Sequence, residues 1–90
     1  MHAALVTVTI DPATADSARS ALQDQIIPTV KASPGFIAGY WVEPKDGHGF
    51  SFVVFESEDQ ARQAVPAAGS SPMTGVKVDS IEFRPVVGHA

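Results

Sequence analysis

Cysteine is absent from the sequence, which excludes disulfides, thiolate zinc sites and cysteine nucleophiles together. Basic residues are few and dispersed. The six of them (Arg19, Lys31, Lys45, Arg62, Lys77 and Arg84) stand singly, and the formal net charge is −4. A nucleic-acid surface needs Lys and Arg gathered on one face, so no nucleic-acid partner is expected. Long apolar runs are missing too. Nothing approaches the ~18 residues that would suggest a membrane span, so no membrane partner is expected. Met1 to Thr9 carries no basic stretch, and Thr7 interrupts its apolar residues. That is unlike a signal peptide, and a cytoplasmic location is the expectation.

What is present is globular in composition. Ninety residues, 44% hydrophobic and 18% charged, allow one domain over 1–90 and are too apolar for a disordered chain. No internal repeat, low-complexity tract or linker divides it.

From His2 to Ile10 the residues are rich in β-branched side chains and stop at Asp11-Pro12, which predicts a first strand. Asp11 before Pro12 reads as an N-cap with proline at the first helical position; Thr14 and Asp16 are alternative caps. Ala18, Leu22, Ile26 and Val30 then recur at four-residue spacing, an amphipathic helix ending near Ala32. Pro28 interrupts it and should kink its last turn. Phe36 to Glu43 reads as a second strand and Phe50 to Glu56 as a third, with Asp46-Gly47 at the hairpin tip between them. Ser57 and Gln60 match a capping box for a second helix, which Pro66 should kink or end. Gly69 to Gly75 is a loop by composition, and Val76 to Val87 a fourth strand.

The order β-α-β-β-α-β predicts an α+β, ferredoxin-like fold: a four-stranded antiparallel sheet, order 4-1-3-2, with both helices on one face. Pro44 and Pro85 fall at or in the predicted edge strands, where a missing N–H is tolerated. Alternation assigns faces. In the third strand Phe50, Phe52 and Val54 oppose Val53 and Phe55. In the first, Val6, Val8 and Ile10 oppose Leu5, Thr7 and Thr9. In the second, Phe36, Ala38, Tyr40 and Val42 oppose Ile37, Gly39 and Trp41. Neither face is clearly polar, whereas an antiparallel sheet with one wet side alternates cleanly. Two helices roof only one face. The other should be covered by a second copy around a two-fold axis, which makes a homodimer the expected assembly.

Two stretches carry a resemblance: Lys31 to Trp41, with its Pro34-Gly35-Phe36 entry, and Phe52 to Ala61, with its Val54-Phe55-Glu56-Ser57 exit. They resemble the dimeric α/β-barrel superfamily, and more narrowly the antibiotic biosynthesis monooxygenase (ABM)-like and stress-responsive barrel groups. The resemblance implies a homodimer with sheets facing across a barrel-like core and a ligand cavity between helices and sheet of each protomer. It implies a protein that binds a small apolar or aromatic ligand, with two alternatives for its role. One is a cofactor-independent monooxygenase; the other is a non-catalytic ligand-binding or accessory protein. The haem-degrading members use an Asn, Trp and His set and the quinone-forming oxygenases an Asn with Trp, Tyr and Arg. This chain has no Asn, so neither set transfers whole, and no cofactor is expected.

The candidates for lining a ligand cavity are Trp41, Tyr40, Arg84, Thr7, Thr9 and Phe52. Tyr40 and Trp41 are neighbours on a strand and face opposite sides, so one is free to line a cavity while the other packs between subunits. Arg84 shares parity with Glu82, a geometry for an ion pair along one face; facing a cavity instead, it would hold an anionic oxygen. Thr7 and Thr9 offer hydroxyl donors and are also ordinary strand residues. His48 lies near Asp46 and Glu43, but a hairpin tip in water lacks the three or four fixed ligands of a metal site, so no metal is expected. His2 and His89 lie near the chain ends, where a general-base role has little support. No residue is assigned a catalytic role.

Overall fold

The computed structural model describes residues 1–90. Four strands form one antiparallel sheet: β1 (His2–Ile10), β2 (Phe36–Trp41), β3 (His48–Phe55) and β4 (Val76–Pro85). Their order is β2-β3-β1-β4, the predicted ferredoxin-like arrangement. Between β1 and β2 runs one long helix, α1 (residues 15–31), and between β3 and β4 a short one, α2 (Glu58–Ala64).

Local chemistry explains the boundaries. Asp11 accepts a hydrogen bond from the Ala13 N–H at 3.0 Å and so caps a 3₁₀ turn, Pro12–Thr14, ahead of α1. Within α1, α-helical Ala15–Ala21 and Ile27–Lys31 flank a π-helical turn, Leu22–Ile26, in which the Ile27 N–H donates to the Leu22 carbonyl. Pro28 has no N–H to offer Asp24, and its ring would crowd that carbonyl in a regular α-helix. A wider turn just before the proline absorbs both problems. The expected interruption therefore takes the form of a π turn inside a continuous helix.

Asp46 (φ 54°) and Gly47 (φ 78°) both take the left-handed conformation that a tight two-residue hairpin requires. Lys45 and His48 close that turn by exchanging backbone hydrogen bonds, so β3 starts two residues earlier than Phe50. At α2, Ser57 accepts from the Gln60 N–H at 3.3 Å. The reciprocal half of the capping box is not made: Gln60 Oε1 is buried without a partner, and the side chain lies against Gly35 instead. The helix ends at Ala64 because Val65, ahead of Pro66, is driven to extended geometry.

The core lies on the helix side of the sheet. Ala4, Val6, Val53, Phe55, Val76 and Val78 meet Ala18 and Val30 of α1 and Ala61 of α2, all buried. Phe36 packs edge-on against Phe55, ring centroids 6.0 Å apart, which corrects the face assigned to it by alternation. A bulge at Ile37 pairs Phe36 with Phe55 and Ala38 with Val54, so the parity of β2 flips between these residues.

The far side of the sheet carries no helix, and it is divided. Over β2 and β3, Tyr40, Val42, Phe50, Phe52 and Val54 form an apolar field, with Tyr40 and Phe52 centroids 5.1 Å apart and Tyr40 58% exposed. Over β4 and the Thr7–Thr9 end of β1 the surface is polar, while Leu5 extends the apolar field beside Phe52. Thr7 and Ser80 share a hydrogen bond, Thr9 donates to Asp79 Oδ2 at 2.6 Å, and Arg84 pairs with Glu82 at 3.1 Å. A bulge in β4 makes Asp79 the extra residue between Ser80, opposite Thr7, and Val78, opposite Val8, and brings its carboxylate within reach of Thr9. The expectation of two apolar faces thus holds for only half of the open one.

Candidate functional site

Between α1 and the sheet lies a cavity of about 940 Å³. Its floor is made of small side chains: Gly49, Ser51 and Val53 of β3, flanked by Val6 and Val8 of β1 and Val76 and Val78 of β4. Its roof is α1, through Leu22, Ile26 and Val30. The helix face predicted from four-residue spacing is thus the face that covers the hollow. The space follows from strand alternation. In β3 the residues directed at the helix are small up to Val53, while Phe50 and Phe52 point their bulk the other way.

Trp41 forms one wall. Its indole folds back along β2 over Gly39, where a Cβ would sit 2.8 Å from Cη2 and Cζ3. Only a residue without a side chain at position 39 leaves the ring room to lie there. Ser51, opposite Trp41 in the β2–β3 register, is the one polar residue of the protein that is buried as a whole, 8% exposed. Its hydroxyl can donate and accept, so it suits one polar group of an otherwise apolar ligand. At the mouth, Arg19 Nη2 donates to Glu43 Oε1 at 2.8 Å, tying α1 to the segment after β2. Asp16 is the only other charged residue on the lining. No His, Lys or Tyr lines the cavity.

The six residues singled out from the sequence are separated by the sheet. Trp41 lines the cavity. Tyr40, Phe52, Thr7, Thr9 and Arg84 do not, because their parity directs them to the open face. There the two threonines are engaged with Ser80 and Asp79, and Arg84 with Glu82. His48 lies in the hairpin, and His2 at the start of β1, between Phe55 and Pro85, with Nδ1 buried and unpartnered. Neither touches the cavity. No three His, Asp or Glu side chains come together in a cluster able to hold a metal ion. Sequence reasoning missed Ser51 and the Arg19–Glu43 pair. The alternation of small and large residues along β3 was a signal for Ser51; nothing local joins Arg19 to Glu43.

A four-stranded antiparallel sheet with two helices on one face, hollow beneath the longer helix, defines a ferredoxin-like α+β protein. Among solved structures the chain is similar to a monooxygenase from the gene ActVA-Orf6 of Streptomyces coelicolor, in complex with the ligand nanaomycin D. The two are 20% identical, over 99% of this chain and 89% of that one, with a TM-score of 0.63. That likeness shows the fold, and at the level of fold it bears out the resemblance to ABM-like proteins. The second RRM domain of the yeast poly(U)-binding protein Pub1 is also similar, 19% identical over 97% of this chain and 99% of that one, with a TM-score of 0.47. No protein-family model and no curated protein matches the chain. No helix is long and apolar enough to cross a membrane.

Proposed function

We propose that this chain is a single ABM-like domain that forms a homodimer through the apolar half of its open face and binds one small apolar or aromatic molecule in the cavity of each protomer. The cavity carries the binding reading. Its volume of about 940 Å³ suits a small molecule, since ligand pockets run from about 300 to 1,000 Å³. Of its 28 lining residues 17 are hydrophobic, so apolar contact supplies most of the recognition. The open face supports the dimer. Contiguous apolar patches of more than a few hundred Å² are rare on monomers, and nothing within the chain covers this one. The tail does not fold over it: Val86 bonds to the Met1 carbonyl and Val87 is fully exposed. Native mass spectrometry of freshly purified protein tests both parts. The expected result is a dimer with a retained small molecule; a bare monomer argues against the reading.

A second reading adds chemistry: cofactor-independent oxidation of the bound molecule. The fold it shares with a monooxygenase favours this. A hydroquinone that enters neutral passes one electron and one proton to O₂, giving a semiquinone and a hydroperoxyl radical, so the protein need supply only a dry pocket and a hydrogen-bond donor for the phenolic oxygen. Ser51 is the buried donor at hand, since Arg84 lies on the open face and Arg19 is held by Glu43. Oxygen uptake with a panel of hydroquinones decides between the readings. Turnover above buffer supports oxidation, and none supports a non-catalytic ligand-binding or accessory role.

A further inference from the structure

The charges on the cavity lining say which molecules it refuses. Only three lining residues are charged: Asp16, Arg19 and Glu43. The single cation, Arg19, already donates to Glu43 at 2.8 Å, and Asp16 leaves the lining with one net negative charge. Deeper in, the walls are apolar and the one buried polar side chain, Ser51, is a neutral hydroxyl.

We propose that this cavity selects neutral ligands against anionic ligands of the same shape, with Ser51 receiving a neutral polar group and Glu43 masking the only cation open to an acidic ligand. The inference rests on the binding reading above and specifies the class of molecule that site takes. An anion entering head first would leave water for apolar walls with no opposite charge to meet it. Entering tail first, its head would lie at a mouth of net negative charge, and it would reach Arg19 only by displacing Glu43. That trades one exposed ion pair for another, which brings little net gain. A hydroxyl, ester or ketone meets neither obstacle. A carboxylated or phosphorylated aromatic is therefore bound more weakly than its neutral counterpart.

The test compares methyl 2-naphthoate with 2-naphthoate at pH 7, titrated calorimetrically into the full chain. The two differ chiefly in charge. The ester should bind at least about tenfold more tightly, a ratio that desolvation of the carboxylate readily gives, with a smaller, salt-screened share from the exposed charges at the mouth. In Glu43→Gln the guanidinium is released, so 2-naphthoate should gain about two- to fivefold, the scale of an exposed ion pair, while the ester is unchanged. Both partners of the pair are well exposed, 58% and 77%, and such pairs add little stability. Asp16→Asn, which lowers the same negative charge without touching the pair, should strengthen 2-naphthoate by a smaller factor. Equal affinity of ester and acid for the unmodified protein overturns the inference while leaving the cavity a binding site. So does a Glu43→Gln protein that treats the acid no differently. Binding of neither compound removes the inference together with the reading it rests on.

Discussion

The two sides of β3 differ more than any other pair of surfaces in the molecule. Toward the helices the strand presents Gly49, Ser51, Val53 and Phe55; away from them it presents Phe50, Phe52 and Val54. A lone domain would place its bulk under the helices and its small or polar residues outside. Here the helix side is hollow over Ser51, while Val8 and Ile10 close over Gly49, and the aromatic rings stand on a face the chain does not cover. Small residues inside leave room for a ligand, and large ones outside give a partner something to bury. On the proposed reading, the same alternation serves both ends.

That contrast can be broken from either side. The largest effect is expected outside. Phe52→Asp puts a charge at the centre of the apolar field, beside Tyr40 and Phe50, and should convert a dimer near twice 9.4 kDa to a monomer in light scattering. The inside counterpart is Ser51→Phe, which fills the hollow from its floor. It should abolish retention of a small molecule in native mass spectra and leave the dimer intact.

Smaller effects sharpen the picture. Gly39→Ala pushes the Trp41 indole off the strand and should cost about 1–3 kcal/mol in denaturant unfolding, as overpacking does. Because Trp41 is the only tryptophan, a shifted emission maximum reports the displacement directly. Least affected is the region remote from both surfaces. Ser57→Ala removes the α2 cap and should cost about 1 kcal/mol, with dimer mass and ligand retention unchanged.

The fold was legible because each element had its own local signal. Asp46-Gly47 named the hairpin turn, Ser57 the start of α2, Pro66 its end, and four-residue spacing the covered face of α1. The bulge at Ile37 was not legible. Alternation assumes an unbroken ladder, and only the register with β3 reveals the extra residue that turns Phe36 inward. The site was half legible for a related reason. Parity correctly separated Tyr40 from Trp41, but it does not say which of the two faces the helices carry. Thr7, Thr9, Phe52 and Arg84 share the parity of Tyr40 across the sheet, so they go to the open face as a group. The mouth depended on contact between residues 24 positions apart, a distance over which no periodicity in the chain extends.

Sedimentation equilibrium of the unmodified protein at micromolar concentration tests the central claim most directly. If the aromatic side of β3 exists to meet its own copy, the mass is twice 9.4 kDa. A species that stays at 9.4 kDa as concentration rises would mean that Phe50 and Phe52 face water by design, and the account would fail.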